Sequence, residues 1–162
     1  MSSSNECNDL RRIADFHAGS MLTFTYPIQL TPDKLDGGFV VTCRNVAEAI
    51  TQGDSVEEAL REAEDCLDEA MHTRMLNDMD IPQPTDAEPG EYLVSVPVGT
   101  ALKLSVYLAM REDHVSKSEL ARRMGVDEKE VRRALDPRHA TKAPRLEHAL
   151  HVLGRRVEVR VA

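Results

Sequence analysis

The sequence predicts an α+β protein: a first half of order β-β-β-α-β, then an all-helical segment with a helix-turn-helix at its centre and a short last strand. Three observations carry this. Residues 22–30 alternate with period two, Leu22, Phe24, Tyr26, Ile28 and Leu30 against Thr23, Thr25, Pro27 and Gln29, as a half-buried strand does. Residues 55–71 repeat their apolar side chains with helical period. Residues 116–135 hold two helix starts on either side of one glycine.

Pro27 has no N–H for a ladder, so the first strand is expected at a sheet edge or bulged there. Gly37-Gly38 is the pivot of a turn into a second strand, residues 38–44, with Phe39, Val41 and Cys43 on one face. Residues 49–52 form a short third strand before the turn at Gly53-Asp54. Ser55-Val56-Glu57-Glu58 is a capping box, Ser at the cap and Glu three residues on. The helix it opens puts Val56, Ala59, Leu60, Ala63, Leu67, Ala70 and Met71 on one face. Its other face is acidic, with Arg61 nearly alone among carboxylates. Such a face is usually only solvated, but its single sign marks Glu57, Glu58, Glu62, Asp65, Asp68 and Glu69 as candidate contacts for a basic protein. Residues 77–91, with Pro82, Pro84, Pro89 and Gly90, are a loop. Tyr92, Val94, Val96 and Val98 alternate as a fourth strand.

Thr100 is expected to cap a support helix over residues 101–112 that buries Leu102, Val106, Ala109 and Met110. Ser116 with Glu119 is a second capping box, and Asp127 with Glu130 repeats the spacing. Between the two helices Gly125 supplies the positive φ of a sharp turn. Leu120, Ala121 and Met124 face Val131, Ala134 and Leu135, with Val126 filling the angle and Ala121 small enough for a close crossing. This is the pattern of a helix-turn-helix, whose second helix lies in the major groove. The bland alternative is a helical hairpin with a solvated charged face; caps, glycine and apolar spacing together favour DNA. The candidate contacts are Ser116, Lys117, Asp127, Glu128, Lys129, Arg132 and Arg133, joined by Arg138, His139 and Lys142 from the following loop. Arg and Lys suit guanine O6 and N7 as well as phosphates. Pro144 opens another helix at its first position, Leu146, Ala149, Leu150 and Leu153 form its apolar face, and Gly154 ends it. Val157, Val159 and Val161 alternate with Glu158 and Arg160 as a C-terminal strand. A lone strand needs a partner, so a homodimer or higher homo-oligomer is expected.

With 162 residues the chain fits a tail (residues 1–20, without period, read as disordered) and two modules, 21–98 and 99–162. Charge divides the same way: residues 21–96 carry 4 Lys/Arg against 16 Asp/Glu, and residues 97–162 carry 14 against 9. A basic module favours phosphate contact; an acidic one repels DNA and suits a basic protein. No apolar run nears the about 20 residues that span a bilayer, so no membrane is expected. Residues 1–20 lack the apolar core of a secretory signal. The three cysteines, Cys7, Cys43 and Cys66, lack CxxC spacing and read as free thiols of a reducing cytoplasm. No cofactor or metal is implied: His148 and His151 are too few for a structural zinc site and read as exposed or half-exposed, and His72 and His114 have no evident partners.

The strand pair with Gly37-Gly38-Phe39-Val40-Val41-Thr42, followed by Thr51-Gln52-Gly53-Asp54-Ser55-Val56-Glu57-Glu58-Ala59-Leu60, resembles the HicB antitoxins from residue 21 onward. Leu135-Asp136-Pro137-Arg138-His139 and Leu153-Gly154-Arg155-Arg156-Val157 resemble the members with a helix-turn-helix. Family members often carry Pro-Gly ahead of the T-Q-G-D turn, where this chain has Asn45-Val46-Ala47-Glu48-Ala49. The resemblance implies a degenerate RNase H-like first domain, β-β-β-α-β, and a C-terminal DNA-binding domain. It implies a small basic HicA-type toxin as partner, an mRNA-cleaving ribonuclease whose RNA surface the antitoxin covers. It also implies double-stranded promoter DNA as a second partner, through which the operon is repressed.

RNase H chemistry needs carboxylates converging on two metal ions roughly 3.5–4 Å apart. Residues 22–30 and 38–44 carry no Asp or Glu, so the reading is a binding protein and not an enzyme. A stand-alone DNA-binding regulator with an acidic sensing domain is the alternative, and a residual nuclease ranks last.

Overall fold

Alternation along the first strand builds the middle of an antiparallel sheet. The computed structural model describes residues 21–159; the tail expected over 1–20 lies outside the described residues, as do residues 160–162. The strands are β1 (Thr25–Pro32), β2 (Phe39–Cys43), β3 (Ile50–Gly53) and β4 (Tyr92–Ser95). The helices are α1 (Val56–Leu76), α2 (Val98–Glu112), α3 (Lys117–Met124), α4 (Glu128–Leu135) and α5 (Ala143–Val152). The sheet runs β3-β2-β1-β4.

Phe24, Tyr26, Ile28 and Leu30 are buried, as the alternation requires, while Leu22 precedes β1 and is exposed. The edge position expected from Pro27 is wrong, because β1 lies between β2 and β4. The ladder explains the tolerance. Phe24 accepts from Val96 N–H on the β4 side, and Asp33 N–H donates to Gly38 on the β2 side. Backbone groups alternate sides along a strand, so the Pro27 nitrogen faces β2, one residue before that pairing starts at Ile28–Cys43. The Pro32 nitrogen faces β4, whose pairing stops at Ile28–Tyr92. Each proline nitrogen thus points to the flank on which its own residue has no ladder partner.

Two glycines let α1 settle on the sheet. A Cβ on Gly53 would lie 2.4 Å from the Ala59 nitrogen, and one on Gly38 (φ +73) 2.5 Å from the Gly53 oxygen. Ser55 Oγ accepts from Glu58 N–H at 3.2 Å, and Glu58 Oε2 accepts from Asp54 N–H at 2.9 Å. The helix thus starts where the capping box predicts, with Ala59, Ala63, Leu67, Ala70 and Met71 against the sheet. Tyr26 is fully buried beneath it, its hydroxyl donating to the Pro82 carbonyl at 2.9 Å.

The expected cap at Thr100 is also wrong. α2 begins earlier, with Pro97 at its N-cap, and Thr100 is buried inside its first turns. Its hydroxyl donates to Asp68 Oδ1 at 2.5 Å and lies 3.2 Å from His72 Nε2, so a contact with α1 holds it instead. α2 serves two cores. Leu104 lies with the sheet and α1, and Val106, Ala109 and Met110 lie with α3, α4 and α5. The expected division after residue 98 therefore falls at the first turn of a shared helix.

Leu120, Ala121, Met124, Val131 and Ala134 are buried where the spacing puts them, and Leu135 is half-buried. Gly125 takes φ +66 at the end of α3. The expected C-terminal strand is not seen: residues 157–159 form no ladder, Val157 packs partly on the second core, and residues 160–161 lie outside the described residues. A ladder needs a second strand, and among the described residues none lies against residue 157.

Candidate nucleic-acid interface and acidic face

α3 and α4 meet through a three-residue turn, each with its own start. Ser116 Oγ accepts from Glu119 N–H at 3.1 Å, the expected cap. Asp127 holds the N-cap of α4 but makes no side-chain cap bond. Glu119 does not close its box; it accepts from Arg122 Nε and Arg123 Nε, each at 2.8 Å. Those guanidiniums, Arg122 foremost, pull its carboxyl down to about 2. Glu128 is likewise lowered, first by the Ser118 hydroxyl and then by Arg132. Arg132 Nε donates to Glu128 at 2.7 Å, one helical turn away. Lys117, Lys129 and Arg132 are exposed, and Lys129 and Arg132 share the outward side of α4.

The loop after α4 is built from inside. Lys103 of α2 is 5% exposed, and its Nζ donates to the carbonyls of Asp136 (2.7 Å), Pro137 (3.2 Å) and His139. Burial pushes its pKa down, opposed in part by Asp136 and Asp68. Thr141 Oγ1 donates to the Ala134 carbonyl at 3.0 Å. Arg138 is exposed, Arg133 Nε donates to His139 Nε2 at 3.1 Å, and Lys142 is exposed at the N-cap of α5. The ten candidate DNA contacts thus come from α3, α4 and one clamped loop. The sequence reading missed Lys103, although it is the only charged residue between Glu91 and Arg111.

On α1, Glu57, Asp65 and Glu69 are exposed and Glu58 and Glu62 half-exposed. Arg61 lies 3.6 Å from Glu58 and 3.7 Å from Glu62. Asp68 stands apart from these five, held by Thr100 and lying 3.3 Å from His72, which has partners after all. Helical period puts Asp68 on a flank of α1 beside the face that meets the sheet, and α2 covers that flank. Beside α1, Leu93 on β4 and Val98 are exposed. Among the described residues no three His, Cys, Asp or Glu side chains gather to hold a metal ion, and no helix is long and apolar enough to cross a membrane.

Comparison with known proteins agrees with this architecture. Residues 25–105, the sheet, α1 and the first half of α2, match the family described as "HicB_like antitoxin of bacterial toxin-antitoxin system". The chain is 32% identical to antitoxin HicB of Escherichia coli (strain K12) over 134 residues, 83% of this chain and 96% of that protein. It is 39% identical to antitoxin HicB 1 of Photorhabdus laumondii over 117 residues, 72% of this chain and 74% of the relative. It is 33% identical to antitoxin HicB of Pseudomonas fluorescens over 140 residues, 86% of this chain and 94% of the relative. An alignment of 134 residues cannot end before residue 134, so the likeness runs through α3 and into α4. The chain belongs to the HicB antitoxin family.

Proposed function

We propose that this antitoxin binds and inhibits a small basic HicA-type toxin through the acidic face of α1, and represses its own operon by binding promoter DNA through α3 and α4. One observation carries the reading: opposite charge on two modules joined by one helix, −12 over residues 21–96 and +5 over residues 97–162. Glu57, Glu58, Glu62, Asp65 and Glu69 present carboxylates as RNA presents phosphates. A ribonuclease that reads RNA by charge meets this face with the same side chains, and the bound antitoxin then covers its RNA surface. Asp68 has no part in this, being engaged with Thr100.

On duplex DNA, α4 enters the major groove with its first turns toward the bases. Arg132 exchanges Glu128 for a base edge or phosphate, and Lys129 lies beside it. Lys117, Arg138 and Lys142 take phosphates at the margins, while Ser116 caps α3 and positions Lys117. A cytoplasmic homodimer, paired through residues 157–161, meets inverted half-sites about 34–36 Å apart or a multiple of that.

Co-expression with the small basic protein encoded beside this gene tests the first half, and a mobility shift on the promoter fragment tests the second. The expected result is a co-purifying complex in which RNA cleavage is silenced, and a retarded promoter band that a scrambled duplex does not give. Promoter binding without capture of any toxin favours a stand-alone regulator. Absence of both the complex and the retarded band overturns the proposal.

A further inference from the structure

We propose that Lys103 is the positioning residue of the DNA contact: reaching from α2, it gathers the carbonyls at and just beyond the C-cap of α4 and sets the loop that carries Arg138, His139 and Lys142. The inference rests on the DNA reading above. The last carbonyls of a helix find no partner within it and carry the negative end of its dipole. Many helices close that end with the N–H groups of the next two residues. Here Asp136 is the C-cap and the next residue is Pro137, which has no N–H to give.

Donors from elsewhere replace it. An ammonium carries three N–H bonds, and Lys103 directs them to three carbonyls, those of Asp136, Pro137 and His139. Thr141 adds a donor to Ala134. With these carbonyls turned inward around one buried cation, Arg138 is left outward between the clamped Pro137 and His139. The His139 ring meets Arg133, the last basic residue of α4. Thr141 thus holds the end of α4, and Lys103 holds the loop just beyond it where the charges are presented. Lys103 itself, 5% exposed, touches no nucleic acid.

The test uses the full chain and a duplex bearing its own promoter, with affinity measured across a salt series. In Lys103→Met the loop loses its centre, and the slope of log K against log salt is expected to become shallower by about 1–2, near one for each phosphate left without its cation. Capture of the toxin stays unchanged. A variant that is merely less stable keeps the wild-type slope, so the slope separates positioning from stability. If Lys103→Met does not fold, Lys103→Arg decides. Its planar fork keeps a cation but does not serve three converging carbonyls, and the shallower slope is expected there too. A wild-type slope in the folded variant overturns the inference while the DNA reading stands. Wild-type protein that ignores duplex DNA at low salt overturns both.

Discussion

Glu119 sits between two guanidiniums, Arg122 and Arg123, and its carboxyl is held down to about 2 against an ordinary 4.5. Because the folded value is the lower one, its stabilisation is present above pH 4.5 and is lost as pH falls through about 2. Thermal melts of wild type and Glu119→Gln are expected to differ at pH 6 and to converge toward pH 2, with the wild type losing its lead. Tyr26 has the opposite sign: burial, with Cys43 a lesser cause, pushes its hydroxyl up to about 12, so its contribution is complete below pH 10 and lost as pH rises through about 12. Tyr26→Phe keeps the ring but leaves the Pro82 carbonyl without its donor, an expected loss of about 0.5–1.5 kcal/mol by urea titration at neutral pH. Its stability should also fall less steeply than that of wild type above pH 10. Arg132→Ala is expected to cost about 1–3 kcal/mol of promoter binding and to relax preference at one base pair. Lys142→Ala should weaken all duplexes alike. Competition binding with single-base variants of the promoter separates the two.

Elements here are placed by what little room their contacts leave. α1 docks because Gly53 lets the Ala59 backbone come within reach of β3. Gly53→Ala is therefore expected to destabilise by about 1–3 kcal/mol, as overpacking does. Gly99, in the first turn of α2, has nothing within 4 Å of a new Cβ, so Gly99→Ala is expected to be neutral or to stabilise by up to about 1 kcal/mol. Equilibrium unfolding of the pair should give opposite signs. The contrast also accounts for the motif that carried the resemblance: in T-Q-G-D-S-V-E-E-A, the glycine is a contact and Ser55 with Glu58 is the cap.

For the whole molecule, the decisive feature is a helix common to two cores. α2 gives Leu104 to one and Val106, Ala109 and Met110 to the other. At its start Thr100 holds Asp68 of the acidic helix, and one turn on Lys103 holds the loop of the basic module. Cutting the chain after residue 98 would therefore expose apolar side chains of both halves. Assembly is expected to rest on the C-terminal valines: removal of residues 155–162 should give a monomer by light scattering with toxin capture retained, and an intact dimer would exclude this strand as the interface.

What the sequence determined by itself was local. Period-two alternation set the buried face of β1, the serine caps Ser55 and Ser116 set the starts of α1 and α3, Gly125 set the turn, and the charge of each module was legible by counting. These follow from neighbours a few residues apart, which is the range over which periodicity and capping act. Three matters were decided only by tertiary structure. Pro27 lies in a central strand because its nitrogen faces β2, whose pairing begins only at Ile28, while its pairing with Leu93 of β4 asks for no N–H from it. Thr100 and Asp68 face each other because α2 packs on a flank of α1 that helical period alone leaves to solvent. Lys103 is buried because three carbonyls, 33 to 36 residues further along the chain, converge where its side chain ends. No local pattern encodes such a meeting, since burying a cation is tolerable only after distant acceptors have been brought to it.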